Sequence, residues 1–229
     1  MARPGDPHAR IDLLRAAEHV FVERGLRDAK VEEITARAGR SKGSFYLHFQ
    51  SKEDAFREIV ETLLARLGTI VEGCVASEPE LDELADAWLA GDLEIFEFLW
   101  QNRGVMRLCL GGGGGVDFAY LVDEFAERAR DNAKAMLERG VSRGYYRADL
   151  DVEIVSMLVA GAYDRIAREI VKQTSRPDLR AWLIEVQRFV VLGLASPALR
   201  QMDDPPVSER SPTPRAARGR RSPARARDR

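Results

Sequence analysis

The sequence predicts an all-α protein, and two observations carry the prediction. Apolar residues recur at intervals of three and four along most of the chain, which is the period of an amphipathic helix. No stretch shows the strict alternation of apolar and polar residues that is typical of a half-buried strand. With 229 residues, of which 45% are hydrophobic, the chain is long enough to bury a substantial core.

Four helices are predicted in the N-terminal part, over about residues 9–24, 31–38, 42–49 and 51–72. Gly25 and Gly39 end the first two, because glycine readily takes the left-handed conformation found just after a helix. Ser41 and Ser51 precede the other two, where a hydroxyl can accept from free backbone N–H groups, and Ser51 to Asp54 approximates a capping box. The first helix is expected to turn an apolar stripe to the core, comprising Ile11, Leu14, Ala17, Val20 and Phe21.

Longer helices are predicted beyond a break at Pro79, over about residues 80–102, 116–140, 150–174 and 178–194, with a short segment at 103–110. The five glycines of residues 111–115 lack the lysine and the hydroxyl residue of a phosphate-binding loop. We interpret them as a mobile connection, since ordering glycine carries a large entropy cost, and a gate over a neighbouring pocket is a hypothesis. From about residue 203 the chain is rich in Pro, Ser, Ala and Arg and is expected to be disordered.

The net charge of −2 conceals an uneven distribution along the chain. Residues 1–52 carry +3, residues 53–209 carry −12, and residues 210–229, with eight arginines, carry +7. An acidic central segment repels a polyanion, so contact with nucleic acid is expected only near the ends.

The sequence shows neither a membrane-spanning segment nor a secretion signal. The sequence has no run of about 18 apolar residues of the kind that spans a membrane, and no apolar leader segment near its N-terminus. Its two cysteines, Cys74 and Cys109, suit a reducing compartment. We therefore expect a cytoplasmic protein with no membrane partner.

Two short helices separated by Gly39-Arg40-Ser41, with a longer helix in front, form the layout of a helix-turn-helix. The second short helix is then the one expected to enter a groove of DNA. Phe45 and Phe49, four residues apart, are expected to hold it to its own domain. Its other side carries small, hydroxyl and basic residues, which suit close backbone approach and contacts to phosphate oxygens.

Residues 38–53, AGRSKGSFYLHFQSKE, resemble the DNA-binding signature of the TetR family of bacterial transcriptional regulators. Upstream, Phe21 with Gly25-Leu26, and Val31 with Ile34, match the first two helices of that signature. The remainder of the chain matches the family only in length and helical pattern. The resemblance implies an N-terminal three-helix DNA-binding domain with a helix-turn-helix and a larger helical ligand-binding and dimerisation domain. We divide the chain into these two domains and the Arg-rich tail at residues 1–52, 53–202 and 203–229.

The resemblance also implies a set of DNA-contacting residues. Gly43 and Ser44 lie where the family approaches bases, whereas Tyr46, His48 and Lys52 lie where it usually contacts phosphates. The complete predicted set comprises Lys30, Arg40, Ser41, Lys42, Gly43, Ser44, Tyr46, Leu47, His48 and Lys52.

Three positions depart from the usual family pattern. Ala29 and Lys30 stand where small hydroxyl residues are common, so a phosphate contact there would have to come from Lys30. Arg40 replaces a usually apolar turn residue and can add a DNA contact of its own. These departures affect which operator sequence is preferred and leave the binding mode intact.

Large apolar residues crowd the middle of the chain, and the resemblance implies a small-molecule pocket there. An ordinary packed core remains the alternative. The predicted pocket residues are Trp88, Phe96, Trp100, Met106, Cys109, Phe118, Tyr120 and Tyr163. Candidate polar anchors nearby are Asp92, Glu94, Glu97, Arg103 and Arg107. The last two helices are expected to form a four-helix dimer interface with a second copy, through Leu158, Gly161, Ala162, Ile166, Val186, Phe189, Val190 and Gly193.

By resemblance, the chain is expected to be a homodimeric transcriptional regulator, most often a repressor. It would bind a palindromic operator in double-stranded DNA and be released by an unidentified small-molecule effector, with no cofactor, no metal and no enzymatic activity. Two alternatives remain. A hydrolase could use a carboxylate pair such as Asp149 and Asp151, although no Gly-x-Ser-x-Gly elbow or zinc-ligand spacing is present. A general nucleic-acid-binding protein could rely on the Arg-rich tail.

Overall fold

The computed structural model describes residues 7–77, 79–80, 82–110 and 118–194. Within this part the chain forms helices and contains no strand, which confirms the all-α prediction. The glycine run and the tail from residue 203 lie outside the described residues, so the predictions made for them remain predictions. The helices are α1 (Pro7–Asp28), α2 (Val31–Ala38), α3 (Lys42–His48), α4 (Lys52–Ala76), α5 (Leu84–Gln101), α6 (Arg103–Leu110), α7 (Ala119–Ser142), α8 (Val152–Lys172) and α9 (Leu179–Leu194).

The ends of the N-terminal helices follow the expected backbone chemistry. Gly25 takes a positive φ of 76° and interrupts α1 before its last turn, and Gly39 ends α2 with a φ of 63°. The Ser41 hydroxyl accepts from the backbone N–H of Ser44 at 3.1 Å, so it caps α3. Ser51 caps α4 in the same way. These two serines therefore mark where α3 and α4 begin.

The capping box predicted at the start of α4 is displaced by one residue. Ser51 Oγ accepts from the N–H of Asp54 at 3.1 Å, as the motif requires. Asp54 Oδ2, however, accepts from the N–H of Gln50 at 3.0 Å rather than from that of Ser51. Aspartate therefore stands in for the usual glutamate, and its bond is shifted to the N–H of the residue before the cap.

The apolar stripe predicted for α1 was partly wrong. Ile11 is 49% exposed, whereas Leu13 is fully buried. The buried stripe comprises Leu13, Ala16, Ala17, Val20 and Phe21, which keeps the three- and four-residue spacing of an amphipathic helix. Packing decides which side of α1 is buried, because α1 contacts α4 and α6 as well as α2. The spacing of the apolar residues alone does not determine that side.

One continuous core joins the N-terminal helices to the rest of the molecule. The ring of Phe56, near the start of α4, lies 5.3 Å from the ring of Phe21 in α1 and 5.1 Å from that of Phe118. On α6, a Cβ added to Gly104 would lie 2.8 Å from Cγ2 of Val22 in α1. The glycine at position 104 thus allows α6 to approach α1 closely, so both α4 and α6 pack directly on α1.

A smaller core lies between α7, α8 and the segment that joins them. Leu137 and Tyr146 are buried there, with Val159 of α8. A Cβ added to Gly140 would come within 2.1 Å of the Tyr146 ring, so this position accepts only glycine without rearrangement. The Tyr146 ring in turn stacks on Trp88 of α5 with centroids 5.7 Å apart. In the part of the chain described, no helix combines the length and apolar character needed to cross a membrane.

Candidate DNA interface and ligand cavity

The two sides of α3 differ in the way the sequence predicts. Phe45 is fully buried and Phe49 is 2% exposed, with ring centroids 5.3 Å apart, which confirms their predicted core role. On the opposite side Tyr46 is 51% and Leu47 is 68% exposed. The other predicted contacts of this helix and its cap are exposed or half-buried, namely Ser41, Lys42, Gly43, Ser44 and His48.

Gly43 has no role in the packing of the protein itself. An added Cβ would meet only the Ser41 hydroxyl oxygen, at 3.8 Å, which is an ordinary van der Waals distance. The φ of Gly43 is not positive, so folding does not require glycine here. Among the described residues, therefore, nothing in the fold requires a glycine at this position.

Basic residues around α3 are engaged with neighbouring carboxylates. Arg40 contacts Asp12 of α1 at 2.6 Å, and Lys42 contacts Glu32 of α2 at 2.6 Å. The hydrogen bond and charge of Glu32 raise the pKa of Lys42, and those of Lys42 lower the pKa of Glu32. Both pairs lie at the surface, where ion pairs contribute little to stability, so their cations can be transferred to another anion.

Lys52 has a structural role that its sequence position did not reveal. Its ammonium donates to the carbonyl oxygens of Arg27 at 2.7 Å and Ala29 at 2.9 Å, after the break in α1. A cation is favourable at the carboxyl end of a helix, where carbonyl groups lack partners. Lys52 thus ties the start of α4 to the turn between α1 and α2, and its phosphate contact stays a prediction. Lys30, in that turn, is exposed.

A cavity of about 500 Å³ lies among α4, α5, α6, α7, α8 and α9. Its size falls within the ordinary range for small-molecule sites, and its wall is mostly apolar. Four of the predicted pocket residues line it, namely Trp88, Phe96, Met106 and Tyr163.

The other four predicted pocket residues do not line this cavity. Trp100 is 8% exposed beneath the Arg103 guanidinium, 4.2 Å from its ring centroid. Cys109 packs against the main core, and burial raises the pKa of its thiol to about 12. Phe118 is buried against Phe56, and Tyr120 is 45% exposed on the outside of α7. Trp100 and Phe118 are thus taken up by core packing at the end of α5 and just before α7, whereas Tyr120 faces away from the cavity.

The polar centre of the cavity is Asp92 on α5, which is 8% exposed. Its Oδ2 accepts from the hydroxyl of Tyr163 at 2.7 Å and from the amide of Gln187 at 3.3 Å. Burial raises the pKa of Asp92 to about 6, and the two hydrogen bonds act in the opposite direction. Asp92 was one of several candidate anchors in the sequence, while Gln187 was missed.

The sequence carries a signal for Asp92 but none for the part of the cavity wall that α4 contributes. Asp92 lies four residues from both Trp88 and Phe96, on the apolar side of its helix, where an unpaired acid is unusual. The part of the wall contributed by α4, including Leu64, Leu67 and Val71, was also missed. Those leucines read as ordinary core residues, and only the arrangement of the helices shows that they border a space.

The predicted dimer residues divide into an exposed set and an inward set. Leu158 is 66% and Phe189 is 77% exposed, and Gly161 and Gly193 are exposed too. Ile154 and Met157 add further exposed apolar surface on α8. Four residues are half-buried, namely Ala162, Ile166, Val186 and Val190; of these, Ile166 packs against the main core and Val190 lines the cavity.

The carboxylate pair of the hydrolase alternative has structural roles. Asp151 caps α8 by accepting from the N–H of Ile154 at 3.1 Å. Asp149 contacts Arg147 at 3.2 Å, and both acids are exposed. Neither lines the cavity described above. Within the described residues, no group of three or more His, Cys, Asp or Glu is arranged to hold a metal ion.

Comparison with known proteins supports the DNA-binding interpretation of the N-terminal helices. The family model described as bacterial regulatory proteins, tetR family, matches residues 13–59. The transcriptional repressor KstR2 of Rhodococcus jostii is 32% identical over 156 residues, which cover 66% of this chain and 74% of that protein.

Solved structures share the fold. The SmeT–triclosan complex matches with a TM-score of 0.70 at 20% identity, over 90% of this chain and 99% of that one. The transcriptional regulator FadR of Bacillus subtilis, in complex with stearoyl-CoA, matches with a TM-score of 0.65 at 20% identity, over 80% of this chain and 98% of that one.

Proposed function

Since the chain belongs to the TetR family of bacterial transcriptional regulators, we propose that it represses transcription as a homodimer bound to a palindromic operator. A small molecule that occupies the cavity would release the DNA. The observation that carries the proposal is the outer side of α3, where exposed Tyr46 and Leu47 adjoin Gly43, whose small size the protein itself does not use.

The roles of the residues on α3 follow from their chemistry. Ser44 and the backbone near Gly43 are the groups closest to bases, while the hydroxyl of Tyr46 and the ring of His48 are suited to phosphates. Lys42 and Arg40 reach the DNA by exchanging Glu32 and Asp12 for phosphate groups. Leu47 can contact a thymine methyl group.

The dimer is supported by the apolar surface of α8 and α9. Four large apolar side chains are exposed there, at Ile154, Met157, Leu158 and Phe189, and an exposed cluster of this kind favours association. A two-fold axis through this surface pairs the same residues of both copies. The two copies of α3 would then lie about 34–36 Å apart, which matches successive major grooves.

The effector site is supported by the cavity and by the related structures. SmeT binds triclosan in one of them and FadR binds stearoyl-CoA in another, and both ligands have a large apolar part. The present cavity, of about 500 Å³ with a largely apolar wall, is suited to a molecule with a comparable apolar part.

Helix α4 is the connection between the cavity and the DNA-binding helices. Leu64, Leu67 and Val71 line the cavity, and Phe56 on the same helix packs on Phe21 of α1. A ligand that favours one position of α4 therefore also favours one separation of the two copies of α3. It releases the operator only if its affinity differs between the two positions.

Fluorescence anisotropy with the palindrome from the chain's own promoter region, and with a scrambled duplex, tests the proposal. We expect tight, salt-dependent binding to the palindrome and much weaker binding to the scrambled duplex. Tyr46→Ala should weaken operator binding by about 1.5–3 kcal/mol, as expected for the loss of a hydrogen bond to a charged phosphate, whereas Tyr120→Ala, which truncates a similarly exposed tyrosine on α7, should not. Equal affinity for both duplexes, or unchanged binding by Tyr46→Ala, would contradict the proposal.

A further inference from the structure

The cavity contains a carboxylate whose charge has no cationic partner among the described residues. Asp92 is 8% exposed, and its hydrogen bonds come from the neutral groups of Tyr163 and Gln187. A buried anion is unfavourable unless it is paired. Since a folded protein keeps such a group only rarely, the unpaired charge of Asp92 points to a ligand.

The second carboxylate oxygen is the one available to that ligand. Both hydrogen bonds fall on Oδ2 of Asp92. Among the described residues, no fully enclosed side-chain nitrogen or oxygen lacks a hydrogen-bond partner. Because Oδ1 takes neither of these two bonds, it is not one of the fully enclosed atoms. The space open to it is the cavity whose wall includes Asp92.

The charges in the cavity wall favour a cation. The described wall contains four carboxylates, at Asp92, Asp123, Glu127 and Asp164, and two guanidinium groups, at Arg130 and Arg168. It contains no lysine and no histidine.

Both guanidinium groups are already bound to other anions or carbonyl groups. Arg168 donates to Asp164 at 2.7 Å and to the carbonyl oxygen of Leu110 at 2.7 Å. Arg130 contacts Glu127 at 2.9 Å and Asp131 at 3.3 Å. Neither arginine contacts Asp92, so neither neutralises its charge.

Aromatic rings flank the carboxylate on the same side of α5. Trp88 and Phe96 each lie four residues from Asp92, so all three share one side of the helix, and all three line the cavity. Tyr163 completes the group, with its ring centroid 6.0 Å from that of Phe96. Rings beside a carboxylate suit a cation with an apolar body, because a cation is attracted to the face of a ring as well as to the anion.

We propose that the effector is an amphipathic amine, with a mostly apolar body that fills the cavity and one protonated nitrogen that donates to Oδ1 of Asp92. This inference rests on the proposed function of the cavity as the effector site. It adds the chemical class of the ligand: a cation, in preference to a neutral alcohol or a carboxylate of the same shape.

Three matched probes test the inference by isothermal titration calorimetry at neutral pH: 4-phenylbutylamine, 4-phenylbutanol and 4-phenylbutyrate. We expect the amine to bind at least about tenfold more tightly than the alcohol, and the carboxylate to bind most weakly, because a charge-assisted hydrogen bond is stronger than a neutral one. Asp92→Asn should reduce the affinity for the amine to that for the alcohol and leave the affinity for the alcohol nearly unchanged. Asp86→Asn, which removes an exposed acid of α5 that lies outside the cavity wall, serves as the matched control and should keep the preference.

Operator binding is measured on the same samples, so that the two proposals can fail separately. An amine that binds no better than the alcohol, no binding of the amine, or an unchanged preference in Asp92→Asn would overturn the inference about ligand class. If operator binding is intact in that case, the proposed regulatory function stands. Failure of the wild-type chain to bind the palindrome would overturn the proposed function instead, whatever the order of the three probes.

Discussion

The outer side of α3 and the wall of the cavity both present polar groups to a partner, but under opposite physical conditions. Around α3 the cations of Arg40 and Lys42 lie at the surface, paired with Asp12 and Glu32. In the cavity a single carboxylate, Asp92, is almost completely enclosed. Surface ion pairs exchange partners at little cost, whereas a buried anion lowers the stability of the empty protein.

This difference indicates how each region achieves specificity. At α3 many weak contacts act together, and the shape of the helix and its spacing in the proposed dimer select the DNA. In the cavity one enclosed group dominates, so a single substitution should change ligand preference while making the fold more stable. The four substitutions below test this contrast, from the largest expected effect to the smallest.

Phe56→Ala should have the largest effect, because Phe56 belongs to the core shared by the two regions. Its ring contacts Phe21 and Phe118, and truncation of a buried phenylalanine costs about 3–5 kcal/mol. We expect a large loss in the free energy of unfolding, measured by urea denaturation, in one transition that includes the whole chain. Two separate transitions, with only the first one shifted, would mean that the N-terminal helices fold independently of the cavity.

Asp92→Asn should stabilise the protein above pH 6. The ordinary pKa of this carboxyl is 3.8 and its pKa in the folded protein is about 6, so between these values the folded state binds more protons than the unfolded state. The free energy of unfolding of the wild type therefore falls as the pH rises from about 4 to 6 and stays lowered above that range.

The Asp92→Asn protein has no carboxyl group to ionise at this position. It should therefore be more stable than the wild type by about 2–3 kcal/mol at neutral pH. The difference should shrink towards zero near pH 4. Thermal or urea denaturation across this range provides the measurement, and Asp86→Asn is again the control. A variant that is less stable than the wild type at neutral pH would mean that the charge of Asp92 stabilises the fold.

Lys52→Ala should lower stability as well as DNA affinity. The substitution removes two hydrogen bonds to the carbonyl groups of Arg27 and Ala29. We expect a loss of about 1–2 kcal/mol in the free energy of unfolding, as for other partly buried cations at the carboxyl end of a helix. Lys30→Ala removes an exposed lysine from the same turn and should weaken DNA binding without a comparable loss of stability. If both variants unfolded at the same urea concentration as the wild type, the structural role assigned to Lys52 would be incorrect.

Glu32→Gln should have the smallest effect, a gain in DNA affinity of a few-fold with little change in stability. Removing the carboxylate frees Lys42 from its ion pair and removes a negative charge close to the phosphates. Because the effect is electrostatic, it should be similar for operator and random DNA and should diminish at high salt. Glu23→Gln breaks a similar surface pair, with Arg37, and should leave the affinity nearly unchanged; an equal gain there would assign the effect to net charge alone.

Much of the N-terminal region could be predicted because its signals are local. Gly39 and Ser41 mark the turn between α2 and α3 by backbone chemistry alone, and Phe45 and Phe49 show their burial through their spacing. The role of Lys52 was not predictable, since its carbonyl partners lie more than twenty residues away in sequence. The buried side of α1 was misjudged at Ile11 for a similar reason, because α4 and α6 determine which residues are covered.

The cavity was harder to predict because six helices build it. Aromatic residues near one another in sequence suggested a pocket, yet Trp100 and Phe118 fill the core while Leu64 and Val71 border the space. Whether a large side chain fills a space or lines it depends on the separation of helices, which periodicity does not encode. Asp92 is the exception, since an acid between Trp88 and Phe96 on an apolar surface can be recognised in the sequence.

The central claim is that DNA recognition and ligand recognition reside in two regions that can be altered separately. The most direct test measures operator affinity by anisotropy and 4-phenylbutylamine affinity by calorimetry for the wild type, Tyr46→Ala and Asp92→Asn. We predict that Tyr46→Ala loses operator affinity and keeps amine affinity, while Asp92→Asn keeps operator affinity and loses its preference for the amine. A variant that loses both, or an exchange of the two effects, would contradict this account.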